Sequence, residues 1–258
     1  MTRPHQRFGS PARPGFRRAL EAGHFGLPPS GTRRQDTSDP RVNSRQPYPL
    51  LVPDAFGVVR AGYDAIGERY RERSHENRVR LYWVGQLFGR LQPDSLVVDL
   101  GCGPGEPATR LLSEHHRVIG VDASAAQLRL AQEAAPGALL VQADMTRLVL
   151  RPGSLDAVAS FYALGHVPAE RHGDLFASIA RWLRPSGLLL TSAPLDAGNS
   201  RDDNWLGVPM FFGGIGERET RDAVEDAGMT VLDWQVVPED EGDGHTVKFL
   251  WLVAQRRE

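Results

Sequence analysis

The segment SLVVDLGCGPGEPATRLL, from Ser95 to Leu112, restricts the fold of this chain more than any other feature. It begins with a short apolar run that ends at Asp99 and Leu100, a pattern typical of a strand buried on both faces. A turn dense in glycine follows, and the chain then continues with helical periodicity. Because parallel strands need a crossover connection, a buried strand followed at once by a helix indicates a parallel sheet.

The same alternation of strands and helices continues along the chain. Four further strands are predicted, at residues 117–122, 138–144, 154–162 and 187–194. Two longer segments, 229–237 and 245–255, are joined by an acidic turn rich in glycine and are predicted to form a hairpin. The predicted fold class is therefore α/β: a doubly wound, Rossmann-like sheet of seven mostly parallel strands, the last one antiparallel, with helices on both faces.

The glycine turn argues against a dinucleotide and for a ligand without phosphates. Glycines stand at 101, 103 and 105, whereas the dinucleotide fingerprint needs its third glycine one position later, where this chain has Glu106. A pyrophosphate binds free N–H groups at the positive end of a helix, so Glu106 would repel it and Pro107 removes a donor. S-adenosylmethionine suits such a turn, because its ammonium and sulfonium groups are positive and it carries no phosphate.

Four motifs together resemble the ordered motifs of class I S-adenosylmethionine-dependent methyltransferases: VVDLGCGPG, VIGVDAS, VQADM and LRPSGLLLTS. The resemblance covers about residues 55–256 and is strongest to bacterial members that act on small molecules. It implies a transferase of secondary metabolism. Such an enzyme carries a methyl group from S-adenosylmethionine to an oxygen or nitrogen atom of a small hydrophobic or aromatic metabolite.

Strand ends and the resemblance together assign the cofactor-binding residues. Asp122 ends the second strand, where a carboxylate can accept hydrogen bonds from both ribose hydroxyls. In the family, the acid at Asp144 accepts from the adenine amino group, the N–H of Met145 meets the ring, and Tyr70 lies near the methionine carboxylate. For Tyr70, and for Tyr63 on the same predicted helix, aromatic filling of the core is the alternative. The full predicted set is Asp99, Gly101, Cys102, Gly103, Gly105, Asp122, Ala123, Asp144, Met145, Phe161 and Tyr70.

The acceptor site is expected beyond the fourth strand, in SFYALGHVPAERH at residues 160–172. This segment lacks the Asn/Asp-Pro-Pro-aromatic motif of enzymes that methylate DNA bases or protein glutamine, and the folded part shows no basic groove. His166 is predicted to act as a general base, because the ordinary pKa of histidine suits proton transfer near neutral pH. A histidine that hydrogen-bonds a loop or lines the pocket is the alternative.

An apolar segment, DDNWLGVPMFFGGIG at residues 202–216, follows the fifth strand. Its glycines and proline predict an irregular loop, so residues 195–216 are expected to cap the acceptor pocket; a loop packed on the sheet edge is the alternative. The predicted pocket residues are Tyr63, Tyr162, His166, Trp205, Met210, Phe211 and Phe212. No metal is expected, because three adjacent polar residues at 202–204 do not make a coordination sphere.

Residues 1–47 differ in composition from the rest of the chain. They hold nine arginines against three acidic residues, with much proline, glycine and serine and few aliphatic side chains. Such a segment buries too little surface to offset its ordering entropy, so a disordered N-terminal extension is expected. A nucleic-acid arm, a transit segment and a flexible lid are the alternatives. The methyltransferase domain is placed at 48–258, beginning with a helical cap at 55–92.

The remaining sequence features bear on setting and partners. No apolar stretch is long enough to span a bilayer, so no membrane partner is expected. The single cysteine, Cys102, indicates a reducing, cytoplasmic setting. We expect a monomer or homodimer that binds a small-molecule substrate, and nucleic acid is not favoured as a partner. A cyclase or rearrangement enzyme with the same cofactor, and a non-catalytic binding module, are the alternative functions.

Overall fold

The computed structural model describes residues 54–74, 78–240 and 246–258. Its strands are β1 (Leu96–Leu100), β2 (Arg117–Asp122), β3 (Leu139–Gln142), β4 (Leu155–Ser160), β5 (Leu183–Pro194), β6 (Ala197–Trp205), β7 (Val208–Ile215), β8 (Met229–Asp240) and β9 (Thr246–Arg256). Its helices are α1 (Ala55–Ser74), α2 (Arg78–Phe88), α3 (Ala108–Ser113), α4 (Ala125–Ala134), α5 (His172–Trp182) and α6 (Glu217–Asp226). Two 3-10 helices cover Leu164–His166 and Ala169–Arg171.

Seven strands form the central sheet, in the order β3-β2-β1-β4-β5-β9-β8. The strands β1 to β5 run parallel to one another, whereas β9 is antiparallel to both β5 and β8. The predicted seven-stranded sheet with an antiparallel last strand is confirmed. The strand order reverses between β1 and β4, and open α/β sheets bind their ligands at such a reversal, beyond the carboxyl ends of the strands.

The main apolar core lies between this sheet and helices α5 and α6. On α5, Leu175, Phe176 and Ile179 recur at helical spacing and are at most 2% exposed. They pack with β4 and β5 residues such as Val158 and Leu189, which are fully buried. Burying each of these side chains contributes roughly 1.5–3 kcal/mol to the stability of the fold. The strands whose ends carry the site are therefore held by a well-packed core.

Helix α1 packs on the beginning of α4 through a carboxylate. Asp64 Oδ1 accepts a hydrogen bond from the Ser124 hydroxyl at 2.6 Å and from the Ala126 N–H at 3.1 Å. Helix α1 is not continuous, since Gly67 has a φ of 1° and a ψ of −89°, values outside the helical region. A glycine is one of the recurrent causes of such a kink. The side-chain amide of Gln127 donates to the Gly67 carbonyl at 3.4 Å.

The irregular loop predicted at 195–216 is wrong, because β6 and β7 form an antiparallel hairpin there. Its turn, Leu206–Gly207, has positive φ at both residues, 49° and 81°, as two-residue hairpin turns require. The glycines that suggested a loop permit close backbone approach instead. A Cβ on Gly213 would lie 2.2 Å from the Val167 carbonyl oxygen. Pro209 is tolerated because it lies where the pairing register shifts next to the turn.

The extension predicted at residues 1–47 lies outside the described residues. None of the described helices is both long and apolar enough to cross a membrane.

Candidate functional site

The candidate site lies where β1 and β2 end, beside the reversal of strand order. Asp99 lies one residue before the end of β1, and Asp122 is the last residue of β2. After β1 the chain turns through Gly101 and Gly105, with φ values of 70° and 79° that favour glycine. A Cβ on Gly101 would lie 2.2 Å from the Cβ of Ala163, so the turn and the segment after β4 pack closely only with glycine there.

Hydrogen bonds orient the two carboxylates. Asp99 Oδ2 accepts from the Thr109 hydroxyl at 2.6 Å. Asp122 Oδ2 accepts from the Gly103 N–H at 2.9 Å, and its Oδ1 accepts from the Ser124 N–H at 2.8 Å. Asp122 therefore joins the glycine turn to the start of α4. Because an ionised carboxylate has about four lone-pair sites, both side chains keep capacity to accept from a ligand.

Burial raises the pKa of both carboxyl groups to about 6. For Asp99, the hydrogen bond from Thr109 and the positive charge of Arg80 oppose the effect of burial without cancelling it. For Asp122, backbone N–H hydrogen bonds oppose burial in the same way. A buried and a half-buried carboxylate with incompletely compensated charge favour a ligand that brings positive charge or hydrogen-bond donors.

The predicted residues on the β3 side of the site lie in two short, hydrogen-bonded turns. Asp144 Oδ1 accepts from both the N–H and the hydroxyl of Thr146, each at 2.8 Å. The side-chain amide of Gln142 donates to the Ala123 carbonyl at 3.0 Å, which connects the end of β3 to the turn after β2. The methyl group of Met145 lies against the glycine turn. These contacts bring Ala123, Asp144 and Met145 to the same edge as Asp122.

Two of the predicted cofactor residues have buried side chains with core contacts. Cys102 is 5% exposed, its thiol lies 3.8 Å from the Gly103 carbonyl oxygen, and burial raises the pKa of the thiol. A buried neutral thiol is inert, so Cys102 is not a nucleophile. Phe161 is also 5% exposed, and its ring centroid lies 5.5 Å from that of Trp251. Contact of Cys102 or Phe161 with the cofactor stays a prediction.

Five rings from three elements meet beside the glycine turn, and we call them the aromatic cluster: Tyr63, Tyr70, His166, Trp205 and Phe212. Helix α1 supplies the tyrosines, the first 3-10 helix supplies the histidine, and the hairpin supplies the other two. Neighbouring ring centroids lie 4.9–6.3 Å apart. All five side chains are partly exposed. Sequence analysis had placed four of them in the acceptor pocket and Tyr70 at the cofactor.

A hydrogen-bonded pair within the cluster defines the proton position on its histidine. The Tyr63 hydroxyl lies 2.8 Å from His166 Nε2, and His166 Nδ1 lies 2.9 Å from the Phe211 carbonyl oxygen. Because a carbonyl only accepts, Nδ1 carries the proton and Nε2 accepts from the phenol. Burial, the Tyr70 phenol and the Asp122 charge raise the pKa of Tyr63, so it stays a neutral donor. Nε2 is therefore the basic nitrogen.

Three other predicted pocket residues lie outside the aromatic cluster. Met210 and Phe211 are at most 1% exposed and pack with Ala55 on α1, so their side chains anchor the hairpin to this helix. Tyr162 belongs to a second group, in which its hydroxyl donates to Glu239 at 2.5 Å. The ring of Tyr162 also contacts Trp251 on β9, with centroids 5.4 Å apart.

Sequence reasoning missed Arg80 and Glu239. Arg80 is 6% exposed, donates to the Glu106 carbonyl at 3.1 Å and places its guanidinium 4.7 Å from the Tyr162 ring centroid. A signal was present, since an arginine on the apolar face of a helix, three residues before Trp83, needs a partner. Glu239 accepts from the Trp251 indole N–H at 3.1 Å. Nothing in the sequence near Glu239 distinguishes it from the other acids of that turn.

Residues 97–187 match the family model described as a methyltransferase domain. Trans-aconitate 2-methyltransferase from Azoarcus sp. (strain BH72) is 38% identical over 113 residues, which are 42% of this chain and 43% of that protein. The chain thus spans less than half the length of the curated relative it matches.

Solved structures share the fold at lower identity. The 1,6-didemethyltoxoflavin-N1-methyltransferase of Burkholderia thailandensis has a TM-score of 0.65 and 21% identity, and the match covers 83% of this chain and 94% of that one. The [4+2]-cyclase SpnF has a TM-score of 0.58 and 18% identity, and the match covers 77% of this chain and 94% of that one. At these identities the likeness concerns the fold, which serves both reactions.

Proposed function

We propose that this chain, a member of the class I S-adenosylmethionine-dependent methyltransferases, transfers a methyl group from S-adenosylmethionine to an oxygen or nitrogen atom of a small hydrophobic acceptor. The observation that carries this proposal is the position of two carboxylates, the buried Asp99 and the half-buried Asp122, at a glycine turn that also lies against Tyr70 of the aromatic cluster. The carboxylates suit the cofactor, and His166 suits an acceptor that must lose a proton.

The residues at the strand ends fit the cofactor. The Asp122 carboxylate, which accepts from the Gly103 N–H, has remaining acceptor capacity that suits the two ribose hydroxyls, and the negative charge of Asp99 suits an ammonium group. The Arg80 guanidinium, whose charge reaches Asp99, suits the carboxylate of the same amino-acid moiety. Asp144 and Met145 are assigned to the base by the family resemblance. When bound, the cofactor supplies an electrophilic methyl group on a positively charged sulfur.

The Tyr63–His166 pair receives the proton of the acceptor. Because the Tyr63 hydroxyl occupies Nε2, an acceptor hydroxyl or amine donates to the phenolic oxygen while the phenol passes its own proton to His166. The Phe211 carbonyl holds the proton on Nδ1, so Nε2 is the nitrogen that accepts the phenolic proton. The apolar hairpin reduces access of water to this pair, which strengthens the hydrogen bonds between its members.

Calorimetric titration with S-adenosylmethionine tests the proposed site. We expect Asp122→Ala to weaken binding by roughly 1–3 kcal/mol, the scale of a lost buried hydrogen-bond partner. Asp222→Ala, which removes an exposed carboxylate on α6, is the matched control and should leave affinity unchanged. Equal affinity of the Asp122→Ala variant and the unmodified chain would contradict the site assignment.

Labelled cofactor tests the reaction itself. A panel of hydroxyl and amine acceptors is incubated with the protein and methyl-labelled S-adenosylmethionine, and we expect S-adenosylhomocysteine to form in equal amount to a methylated product. Turnover of a substrate without S-adenosylhomocysteine would instead support the cyclase or rearrangement function. Binding of the cofactor without any turnover would support a non-catalytic binding module.

A further inference from the structure

Five of the seven ring pairs in the aromatic cluster meet edge to face, and the other two are tilted. Their interplanar angles run from 39° to 85°, with 82° between Tyr63 and Tyr70 and 77° between Trp205 and Phe212. A planar ligand is held best by offset stacking on parallel ring faces. Faces turned in different directions instead present their negative π surface to a compact group. The cluster geometry therefore favours a tetrahedral cation over a flat aromatic ring.

The cluster extends from the cofactor residues to the hairpin. A Cβ on Gly103 would lie 3.7 Å from Cε1 of Tyr70, so this ring lies against the glycine turn. At the other end, Trp205 and Phe212 belong to β6 and β7, with centroids 5.8 Å apart. All five residues are partly exposed, and Tyr70 lies against the glycine turn, so a group bound on the cluster would lie beside that turn.

The charges around the cluster also favour a cation. The charge of Asp122 acts on Tyr63 and helps to raise its pKa, and this effect exceeds the opposing effect of Arg80. The guanidinium of Arg80 is held over the ring of Tyr162, which is not part of the cluster. The nearby carboxylate and the ring quadrupoles therefore act in the same direction.

We propose that the aromatic cluster binds an alkylated ammonium group of the methyl acceptor, so that the substrate class is an aliphatic amine. This inference rests on the proposed methyl transfer and adds the class of acceptor to it. The sulfonium of the cofactor is a second alkylated cation with the same chemistry. Saturating the chain with S-adenosylhomocysteine, which has no sulfonium, separates binding of an acceptor ammonium from binding of the cofactor sulfonium.

The acceptor nitrogen is positively charged both before and after such a transfer. The ammonium first loses a proton to the Tyr63–His166 pair, and the nitrogen lone pair then forms the N–C bond. The electron pair of the broken C–S bond stays on sulfur, which becomes a neutral thioether, while the methylated nitrogen becomes positive. The cluster therefore contacts an ammonium both before proton loss and after methyl transfer.

The test compares two probes of equal shape on the full chain saturated with S-adenosylhomocysteine, which has no sulfonium charge. The probes are choline and its neutral isostere 3,3-dimethylbutan-1-ol, and calorimetry measures both affinities. We expect choline to bind about 3- to 30-fold more tightly. Trp205→Leu should remove this preference, and Trp205→Phe should keep part of it. Trp234→Leu, which removes a 41% exposed indole on β8, is the matched control and should keep the preference in full.

Three outcomes would overturn the inference. Equal affinity for the two probes means that the cluster is an apolar surface without selectivity for cations. A choline preference that survives Trp205→Leu means that the selectivity lies outside the cluster. If this variant also lowers affinity for S-adenosylmethionine relative to S-adenosylhomocysteine, the cation at the cluster is the sulfonium of the cofactor. If neither S-adenosylmethionine nor S-adenosylhomocysteine binds, the proposed function is overturned together with this inference. The first two outcomes leave the proposed function standing.

Discussion

In the proposed mechanism, the proton of the acceptor passes through the hydrogen bond between Tyr63 and His166. If the proton passes through the phenol, removing either partner breaks the same path. We therefore expect Tyr63→Phe and His166→Ala each to lower kcat by about 10²-fold or more. Initial rates with labelled cofactor and an acceptor identified by screening measure this loss, and calorimetry should show unchanged cofactor affinity.

A double variant distinguishes this shared path from two separate contributions. Residues that act as one unit are not additive, so the double variant should be no slower than the slower single variant. Tyr82→Phe, on α2 beside Trp83, removes a phenol outside the cluster and should leave kcat unchanged. Additive losses in the double variant, or an effect on KM alone, would exclude the proton path.

The β6–β7 hairpin is the element that would complete the acceptor side of the proposed site. It carries Trp205 and Phe212, and its Gly213 packs directly on the Val167 carbonyl. We expect Gly213→Ala to displace the hairpin, to destabilise the fold by roughly 1–3 kcal/mol as overpacking does, and to lower kcat. Cofactor affinity should hold, because the carboxylates lie on β1 and β2. Thermal unfolding, calorimetry and labelled transfer measure the three effects.

Gly173→Ala is the matched control for the hairpin prediction. Gly173 lies near the start of α5, where a Cβ would meet no atom within 4 Å, and alanine is favoured over glycine in helices. This substitution should leave kcat unchanged. A Gly213→Ala variant with normal kcat would show that the position of the hairpin is not required for transfer.

The stability of the whole molecule is reduced by the carboxylates that the site needs. Asp99 has a pKa of about 6 in the folded chain against an ordinary value of 3.8, so the folded state binds more protons between these values. The free energy of unfolding therefore falls as pH rises from about 4 to 6, and the loss persists at neutral pH. We expect Asp99→Asn to raise the free energy of unfolding at pH 7 by roughly 2–3 kcal/mol.

Urea denaturation of the ligand-free chain at pH 4.5 and pH 7 measures this effect. Asparagine keeps an oxygen for the Thr109 hydroxyl, so the native hydrogen bond is retained. The gain should be larger at pH 7 than at pH 4.5, where Asp99 is already protonated. Asp222→Asn, an exposed position, should show no gain. An Asp99→Asn variant that is less stable at both pH values would contradict the prediction.

Local patterns were enough to predict most of the fold. The apolar runs that became β1 and β4 are buried almost throughout, and the predicted strand at 117–122 has the bounds of β2. Glycine spacing and strand-end acids also placed Asp99 and Asp122 at one edge of the sheet. The hairpin was missed because its glycines and proline have the same local signature as a loop. Only the close approach to Val167 explains Gly213.

The amino-acid order alone specified the alternation of strands and helices, the glycine turn and the strand-end carboxylates, because each depends on periodicity or spacing within a few residues. Packing decided the rest. The Tyr63–His166 bond spans 103 positions and the Tyr162–Glu239 bond spans 77. Such pairs form only when burial of the core brings distant segments together, so the aromatic cluster and the hydrogen bonds that orient His166 exist only in the folded chain.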